Sequence, residues 1–183
     1  MSGKVIILNG VSSAGKSTLA RAIQQQSSAT FLHVEMDAFI AFLPNGHEFR
    51  PDWFKLETIA TEFGELPRIS NGPRGAALLG VMRTFVIDAA GKGLDLVVDE
   101  VCHAPEANQY RSGLPASHSR FVKVSAPIEI IEKREKARGD RLIGLAREQS
   151  AHLHEGIDYD IEIDTSTASP SELAAQVLRT MGG

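Results

Sequence analysis

The sequence predicts an α/β fold in which a five-stranded parallel sheet carries helices on both faces and a helical lid. Short continuous apolar runs, of which VIIL at residues 5–8 is the first, are typical of strands that are buried on both faces. Helical segments alternate with these runs, and such alternation builds a parallel sheet with right-handed crossovers. The glycine-rich stretch GVSSAGKS at residues 10–17 joins the first strand to the first helix.

Each element has its own signal along the chain. Strands are expected at Val5 to Leu8, Phe31 to Glu35, Leu94 to Val98, Arg120 to Ser125 and Tyr159 to Ile163. Helices are expected from Ser17 to Gln26, from Pro73 to Ala90, from Pro127 to Arg138, after a Gly139-Asp140 break to His152, and after Ser169. Ser169 and Glu172 have the spacing of a capping box, with proline at the first helical position. Prolines and an Asn-Gly pair divide residues 38–70, where a short helix is expected around Trp53 to Glu65.

Composition is that of an ordinary globular protein and argues against several classes of function. With 183 residues and 43% apolar content, the chain is expected to form one domain over residues 1–183. The net charge of −4 argues against a broad surface for nucleic acid or for an anionic membrane. The single cysteine, Cys102, cannot form an intrachain disulfide and fits a reducing interior. No secretory signal or long apolar span is seen, so a cytoplasmic protein is expected.

The loop GVSSAGKS matches the pattern G-x-x-x-x-G-K-[ST] of a phosphate-binding P-loop in full. In such a loop, backbone N–H groups and the N-terminus of the following helix surround phosphate oxygens. Lys16 is expected to reach the β- and γ-phosphates, and the Ser17 hydroxyl to help hold Mg²⁺. The motif predicts a P-loop NTPase or kinase-like fold with ATP and Mg²⁺ as cofactors, although GTP stays open and a turn that binds nothing is the alternative. The predicted nucleotide-binding residues of this loop are Gly10, Val11, Ser12, Ser13, Ala14, Gly15, Lys16, Ser17 and Thr18.

An acidic pair closes the third predicted strand. Asp99 stands at the carboxyl end of LDLVV, where P-loop proteins place an acid that helps to hold Mg²⁺. Ser17 and Asp99 are therefore the predicted metal residues, and a carboxylate that caps the next turn is the alternative for Asp99. Glu100 points to the other side of the pleat if the strand continues that far. A supporting or water-activating role for Glu100 is a weaker hypothesis.

Arginines are concentrated in the segment EKREKARGDRLIGLAR, within a predicted lid at residues 127–152. Arg134 and Arg138 are four residues apart and share one helix face, so both are predicted to contact the nucleotide. Arg141 lies beyond a Gly-Asp break, where a mobile flap brings it down on the phosphates. Phosphoryl transfer needs positive charge over the equatorial oxygens and exclusion of water, which a lid supplies. A solvated charged helix is the alternative interpretation.

Asp37 follows the second predicted strand and so emerges at the same sheet edge as the P-loop. A carboxylate there can accept a proton from an acceptor hydroxyl and orient it for in-line attack on the γ-phosphate. The predicted catalytic residues are accordingly Asp37, Lys16, Arg138 and Arg141. A GTPase switch needs a guanine-reading N-K-x-D, which the sequence lacks. An N-cap for a helix that starts near Ala38 is the structural alternative for Asp37.

Six segments resemble the chloramphenicol phosphotransferase family in order and spacing: GVSSAGKS, HVEMDAF, ISNGP, VVDEV, ARGDR and HEGIDYDIEIDT. The resemblance covers most of the chain and implies a kinase-like P-loop fold with ATP-dependent phosphorylation of a hydroxyl on a small antibiotic. In that family the aspartate that matches Asp37 is the proposed base, and the lysine that matches Lys16 contacts the transferred phosphate. Similar nucleotide kinases further imply that the adenine lies near Thr165 to Thr167.

The chain departs from the family between residues 38 and 70, the predicted acceptor-binding segment. Its aromatic residues are expected to line an apolar acceptor pocket or to belong to the core. His47 and Arg50 are candidates for contacts with polar groups of the acceptor. The aromatic residues in question are Phe39, Phe42, Phe49, Trp53 and Phe54.

Three hypotheses follow for the function. The first is an antibiotic O-phosphotransferase that acts on a chloramphenicol-like hydroxyl and contributes to antibiotic resistance. The second is a metabolite kinase that acts on a sugar, a hydroxy acid or a nucleoside on the same scaffold. The third is a nucleotide-dependent regulator with slow hydrolysis only, against which Asp37 and the arginine-rich lid argue, because a switch needs no acceptor base.

Overall fold

The computed structural model describes residues 2–139 and 141–182. The strands are β1 Val5–Asn9, β2 Phe31–Glu35, β3 Phe54–Thr61, β4 Gly64–Asn71, β5 Asp95–Glu100, β6 Ser119–Ser125 and β7 Ile161–Asp164. The helices are α1 Lys16–Gln26, α2 Met36–Ile40, α3 Pro73–Gly91, α4 Ala104–Gly113, α5 Ile128–Arg138, α6 Leu145–Ser150 and α7 Pro170–Thr180. None of these helices is long and apolar enough to cross a bilayer.

Five strands form one sheet in the order β2-β5-β1-β6-β7. Every pairing in this sheet is parallel, so the carboxyl ends of the five strands meet at one edge. The β1 strand lies in the middle, and all of its residues are buried. The predicted five-stranded parallel sheet is thus confirmed, with strand ends within two residues of the expected ones.

The sheet has an apolar layer on each face, as predicted. Alternate residues of β1 divide between the layers: Ile6 and Leu8 pack with α1 and α7, whereas Val5 and Ile7 pack with α3 and α4. This alternation follows from the pleat, which sends successive side chains to opposite sides. Helix α7 begins with the predicted capping box, since Ser169 Oγ accepts the Glu172 N–H and the Glu172 carboxylate accepts the Ser169 N–H.

The prediction of a short helix around Trp53 to Glu65 is wrong. Those residues belong to an antiparallel hairpin in which β3 and β4 pair from Phe54 with Asn71 to Thr61 with Gly64. The turn closes at Gly64, whose φ of 98° is readily adopted only by glycine. Apolar side chains pair across the two strands, as Ile59 does with Leu66. The alternation of side chains along the strands outweighs the helical propensity of the glutamates. The hairpin forms a separate two-stranded sheet.

One further difference concerns α4, whereas the end of α5 was predicted. Helix α4 carries no clear helical stripe in the sequence, and its N-cap is His103, whose N–H is accepted by Glu106 in a capping box. Gly139 ends α5 with a φ of 70°, which agrees with the predicted end of that helix at Arg138. The predicted break at Gly139-Asp140 falls in part on Asp140, which lies outside the described residues.

A buried polar network joins the central strand to the approach of β7. The Asn9 side-chain amide donates to the Cys102 carbonyl and to the Tyr159 hydroxyl, each at 2.8 Å. Tyr159 Oη lies 2.7 Å from His154 Nδ1. With Asn9 donating to the tyrosine oxygen, both groups are satisfied when Tyr159 donates its own hydrogen to an unprotonated His154 Nδ1. Burial raises the pKa of the Cys102 thiol well above its usual range, which makes it a packed thiol and a poor nucleophile.

We predict that His154 makes the stability of the fold depend on pH. Burial, with Lys123 nearby, lowers the His154 pKa from 6.5 to about 4. Between these two values the unfolded chain binds a proton that the folded chain does not, so stability falls as the pH is lowered through this window. Thermal unfolding between pH 7 and pH 4, the range around that pKa, measures the effect. His154→Gln should flatten the curve, because a glutamine can still accept from Tyr159 but does not titrate.

The matched control is His118→Gln, at a histidine whose ring bonds the neighbouring Ser117 hydroxyl. This variant should lose thermal stability as steeply as the unmodified protein does when the pH is lowered. If His154→Gln loses thermal stability at low pH as steeply as the unmodified protein, His154 is not the cause of the pH dependence.

Candidate active site

The P-loop lies between β1 and α1 and is held tightly by its surroundings. A Cβ at Gly10 would stand 2.2 Å from the Val124 carbonyl oxygen, so only glycine fits there. Gly15 has a φ of 101°, and a Cβ on it would press against Thr165. The Lys16 ammonium is buried and donates to the carbonyl oxygens of Gly10 at 2.9 Å and of Val11 at 3.1 Å. The loop thus has the geometry that its motif predicts.

Ser17 and Asp99, the predicted metal residues, lie together. The Ser17 hydroxyl donates to Asp99 Oδ2 at 2.5 Å, and Lys16 Nζ lies 3.7 Å from Asp99 Oδ1. Asp99 and Val97 are two residues apart in β5, so their side chains point to the same face of the sheet. Val97 packs in the layer of α1, and the Asp99 carboxylate therefore faces the start of α1. A hydroxyl and a carboxylate are the hard oxygen donors that Mg²⁺ prefers, and this pair fits the ion.

A second acid, which sequence reasoning missed, stands next to Asp99. Glu35 is paired in register with Asp99, and His33, Glu35 and Asp99 offer ligand atoms that lie within 4.8 Å of one another. His33 Nδ1 lies 3.2 Å from Glu35 Oε1, and burial lowers the pKa of the histidine. The signal was present as H-x-E, because residues two apart in a strand share one face. Glu35 adds a negative charge to the place where a nucleotide-bound cation is expected.

Glu100 points away from this site. It is 0% exposed, and its carboxylate accepts from Arg83 Nε at 3.0 Å and from the Tyr110 hydroxyl at 2.7 Å. Burial raises the pKa of Glu100, while the Arg83 guanidinium opposes that shift. The hypothesis that Glu100 activates water is therefore wrong, since the side chain is held in the opposite layer of the fold. It is one half of a buried ion pair.

Of the predicted lid arginines, Arg134 on α5 is bonded next to the P-loop. Arg134 donates to Thr165 Oγ1 at 2.8 Å and to the Thr165 carbonyl at 3.0 Å, and Thr165 Oγ1 in turn donates to the Ala14 carbonyl at 2.7 Å. Arg134 therefore ties the P-loop to the segment after β7. Arg138 and Arg141 both line the cavity above the loop, and their contact with phosphates stays a prediction.

Asp37 lies in the first turn of the short helix α2 and does not cap it. The N-cap is Glu35, without a side-chain bond, so the capping alternative for Asp37 is wrong. The Asp37 side chain is 53% exposed, and Arg141 Nη2 donates to its Oδ2 at 2.8 Å. The candidate base and a lid arginine therefore meet across the cavity mouth. Exposed pairs of this kind are weak and can exchange partners.

A buried glutamate on α5 fixes the second lid helix. Glu135 is 0% exposed and accepts the backbone N–H groups of Gly144 at 2.7 Å and of Ala146 at 3.1 Å. These bonds satisfy donors at the start of α6, which would otherwise lack partners. Helix α6 also contacts the hairpin, because Arg68 Nε donates to Glu148 Oε1 at 2.5 Å. The lid is thus bonded to the acceptor-side hairpin.

One cavity of about 1410 Å³ extends from the P-loop to the hairpin. Its nucleotide side includes Lys16, Ser17 and Arg134, and its other side includes Asp37 and Phe54. Among the residues proposed for acceptor contacts, Phe49 and Phe54 line this cavity, while Phe39 packs in the core. The other four do not line it: Phe42, Trp53, His47 and Arg50. The last two of these bond each other at 3.0 Å.

The model of the family described as "Chloramphenicol phosphotransferase-like protein" matches residues 3–182 of the chain. The chain belongs to this family. A curated protein from Mycobacterium tuberculosis, named "Putative O-phosphotransferase Rv2636", is 28% identical over 182 residues, which cover 96% of this chain and 80% of that protein. As a family member, the chain is a small-molecule phosphotransferase-like protein, and its P-loop is the part that is expected to bind a nucleotide.

Solved structures of two small-molecule kinases and of a resistance protein share the fold. A sugar kinase from Janibacter sp. is 20% identical with a TM-score of 0.67, over 97% of this chain and 93% of that one. The APS kinase CysC of Mycobacterium tuberculosis, in complex with AMPPNP and APS, has a TM-score of 0.67 at 15% identity, over 100% and 99% of the two chains. A tunicamycin resistance protein from Deinococcus radiodurans has a TM-score of 0.64 at 16% identity, over 98% and 96%. At these identities the likeness shows the α/β fold of P-loop kinases.

Lys16→Ala should weaken both nucleotide binding and turnover. The ammonium is the cation of the P-loop, and each charge-assisted hydrogen bond to phosphate contributes about 1.5–3 kcal/mol. Titration calorimetry with an ATP analogue and Mg²⁺ measures the affinity. The control is Lys92→Ala, at an exposed lysine that follows α3. Equal affinities of Lys16→Ala and the unmodified protein would contradict the phosphate role of this lysine.

Glu100→Gln should destabilise the fold without changing the site. Removing one partner of a buried ion pair leaves Arg83 uncompensated and costs about 3–5 kcal/mol of the free energy of unfolding. Urea denaturation measures this cost, and nucleotide affinity at low temperature should stay the same. The double variant Arg83→Met, Glu100→Gln should recover part of the stability, because it removes the unpaired charge. A loss of nucleotide affinity in fully folded Glu100→Gln would mean that Glu100 contributes to the site after all.

Proposed function

We propose that the protein is an ATP-dependent O-phosphotransferase that moves the γ-phosphate to a hydroxyl of a small acceptor, with a chloramphenicol-like antibiotic as the favoured acceptor. The observation that carries the proposal is Asp37, a partly exposed carboxylate that lines the same cavity as the P-loop lysine. A kinase needs such a group, whereas a switch that only hydrolyses nucleotide does not. The chloramphenicol-like acceptor is supported by the family alone.

In the proposed reaction Asp37 acts as the general base. It accepts the proton of the acceptor hydroxyl while the acceptor oxygen forms a bond to the γ-phosphorus. The bond between that phosphorus and the oxygen that bridges it to the β-phosphate breaks, and ADP leaves. Arg141 now holds the Asp37 carboxylate, and transfer of this guanidinium to the nucleotide phosphates would release the base when nucleotide is present.

The remaining cations are assigned to the phosphates. Lys16 binds the β- and γ-phosphates, while Arg138 and Arg141 stabilise the charge that spreads over the equatorial oxygens. Mg²⁺ is assigned to Ser17 and Asp99, where it neutralises phosphate charge when bound. The closeness of Ser17 and Asp99 supports this assignment.

The acceptor is assigned to the space between α2 and the hairpin. Apolar side chains of Phe49 and Phe54 form part of this wall, next to polar side chains of Ser70 and Asn71. A wall of this mixed character suits a hydroxylated molecule that also carries an apolar group. Arg68, the hairpin cation in this wall, is paired with Glu148.

A mass-spectrometric screen tests the proposed function. The protein is incubated with Mg²⁺, ATP and chloramphenicol, other hydroxylated antibiotics, sugars, hydroxy acids or nucleosides, and each mixture is searched for one added phosphoryl group. Phosphorylation of an antibiotic is the expected result. A product from a metabolite alone would favour a metabolite kinase, and slow hydrolysis that no acceptor accelerates would favour a regulator and overturn the proposal.

Asp37→Asn should abolish transfer while nucleotide affinity stays within about twofold. The amide keeps the shape of the side chain but cannot take a proton, and loss of a general base lowers turnover by about 10²–10⁴. Initial rates with the acceptor found in the screen, together with calorimetric affinity for AMPPNP, separate the two effects. Asp88→Asn, at an exposed aspartate of α3, is the control. Undiminished transfer by Asp37→Asn would eliminate the general-base assignment.

A further inference from the structure

Gln149 of α6 holds an amide of the P-loop. The Ser12 N–H donates to Gln149 Oε1 at 2.8 Å. A backbone N–H can only donate, so the side-chain oxygen must face the loop and the NH₂ group must face away from it. Gln149 lines the cavity, and among residues 2–139 and 141–182 no acceptor bonds its NH₂ group. Two donor hydrogens are therefore available at this point of the cavity wall.

The Gln149 side chain is bonded to the part of the P-loop near which the γ-phosphate is expected. The peptide that links Val11 to Ser12 is held at both ends, its carbonyl by Lys16 Nζ at 3.1 Å and its N–H by Gln149. The lysine of a P-loop reaches the β- and γ-phosphates. On the other side, the neighbouring Glu148 holds Arg68 of the hairpin. Gln149 thus stands between the P-loop and the acceptor wall.

Two further hydroxyls at the same place lack partners. Ser12 Oγ and Ser13 Oγ are buried, and no hydrogen-bond partner is found for them among the described residues. Buried hydroxyls without partners are costly, and groups of this kind are typical of sites that a polar ligand completes. The Glu135 bonds to the start of α6 also hold Gln149 in a fixed place. The donors are therefore arranged before a ligand arrives.

We propose that Gln149 is a catalytic residue that binds the γ-phosphoryl group. Its oxygen keeps the Ser12 N–H, and its NH₂ group donates a hydrogen bond to an equatorial oxygen of the phosphoryl group during transfer. No proton moves to or from Gln149; the acceptor proton still goes to Asp37. This inference rests on the proposed use of a nucleoside triphosphate, and it adds a neutral donor that the sequence motifs do not contain.

The test compares calorimetric affinities for two probes, Mg²⁺ with AMPPNP and Mg²⁺ with ADP. A hydrogen bond to a charged group predicts that Gln149→Ala weakens AMPPNP about tenfold and leaves ADP within about twofold. Gln149→Glu keeps an acceptor for Ser12 but replaces the donor with a negative charge, so AMPPNP should weaken further. The control is Gln25→Ala, at an exposed glutamine of α1, which should change neither affinity. Thermal unfolding shows that each variant is folded.

Two results would overturn the inference. Equal weakening of AMPPNP and ADP by Gln149→Ala would mean that this residue only supports the loop. Tighter AMPPNP binding by Gln149→Ala would mean that Gln149 competes with phosphate for the Ser12 amide. If Gln149→Ala weakens AMPPNP and not ADP, but the unmodified protein phosphorylates no acceptor, the proposed transfer fails while the Gln149 contact stands. If the unmodified protein binds neither AMPPNP nor ADP, both the proposed function and the Gln149 contact are contradicted.

Discussion

The pleat of the parallel sheet decides which polar side chains can take part in the site. In β5, Asp99 faces α1 and bonds Ser17, while Glu100 faces the opposite layer and bonds Arg83. The same alternation in β1 directs Asn9 away from the P-loop and into a bond with Cys102. A shift of one residue in the register of β5 would exchange the two acids. It would bury Asp99, the proposed metal residue, and put Glu100 next to the P-loop.

Much of the nucleotide half could be predicted from the sequence, because its signals are local. The apolar strands, the P-loop, Lys16, Ser17 and Asp99 all follow from short patterns with a fixed physical meaning. The acceptor half could not be predicted in this way. Its hairpin depends on pairing between β3 and β4, and propensity alone suggested a helix there.

Contacts across the cavity were likewise invisible to sequence reasoning. Gln149 and Ser12 are separated by 137 positions, and no pattern of residue types links them. Arg141 and Asp37 are 104 positions apart, and sequence reasoning predicted each of them for the site but not the hydrogen bond between them. Glu35 was within reach, since H-x-E on one strand next to Asp99 places both acids on the same face. Long-range pairs of this kind follow from topology, which the sequence predicts only as a class.

The hairpin shares no strand pairing with the five-stranded sheet. It is attached through backbone bonds at its base, such as Gly72 N–H to the Trp53 carbonyl at 2.7 Å, and through the side-chain pair of Arg68 and Glu148. Substitutions, insertions or deletions along β3 and β4 therefore leave the hydrogen bonds of the main sheet intact. The five-stranded sheet that carries the P-loop and the hairpin that is proposed to bind the acceptor can therefore diverge at different rates. Such modularity would let relatives of this chain acquire new acceptors while the phosphate chemistry is inherited unchanged.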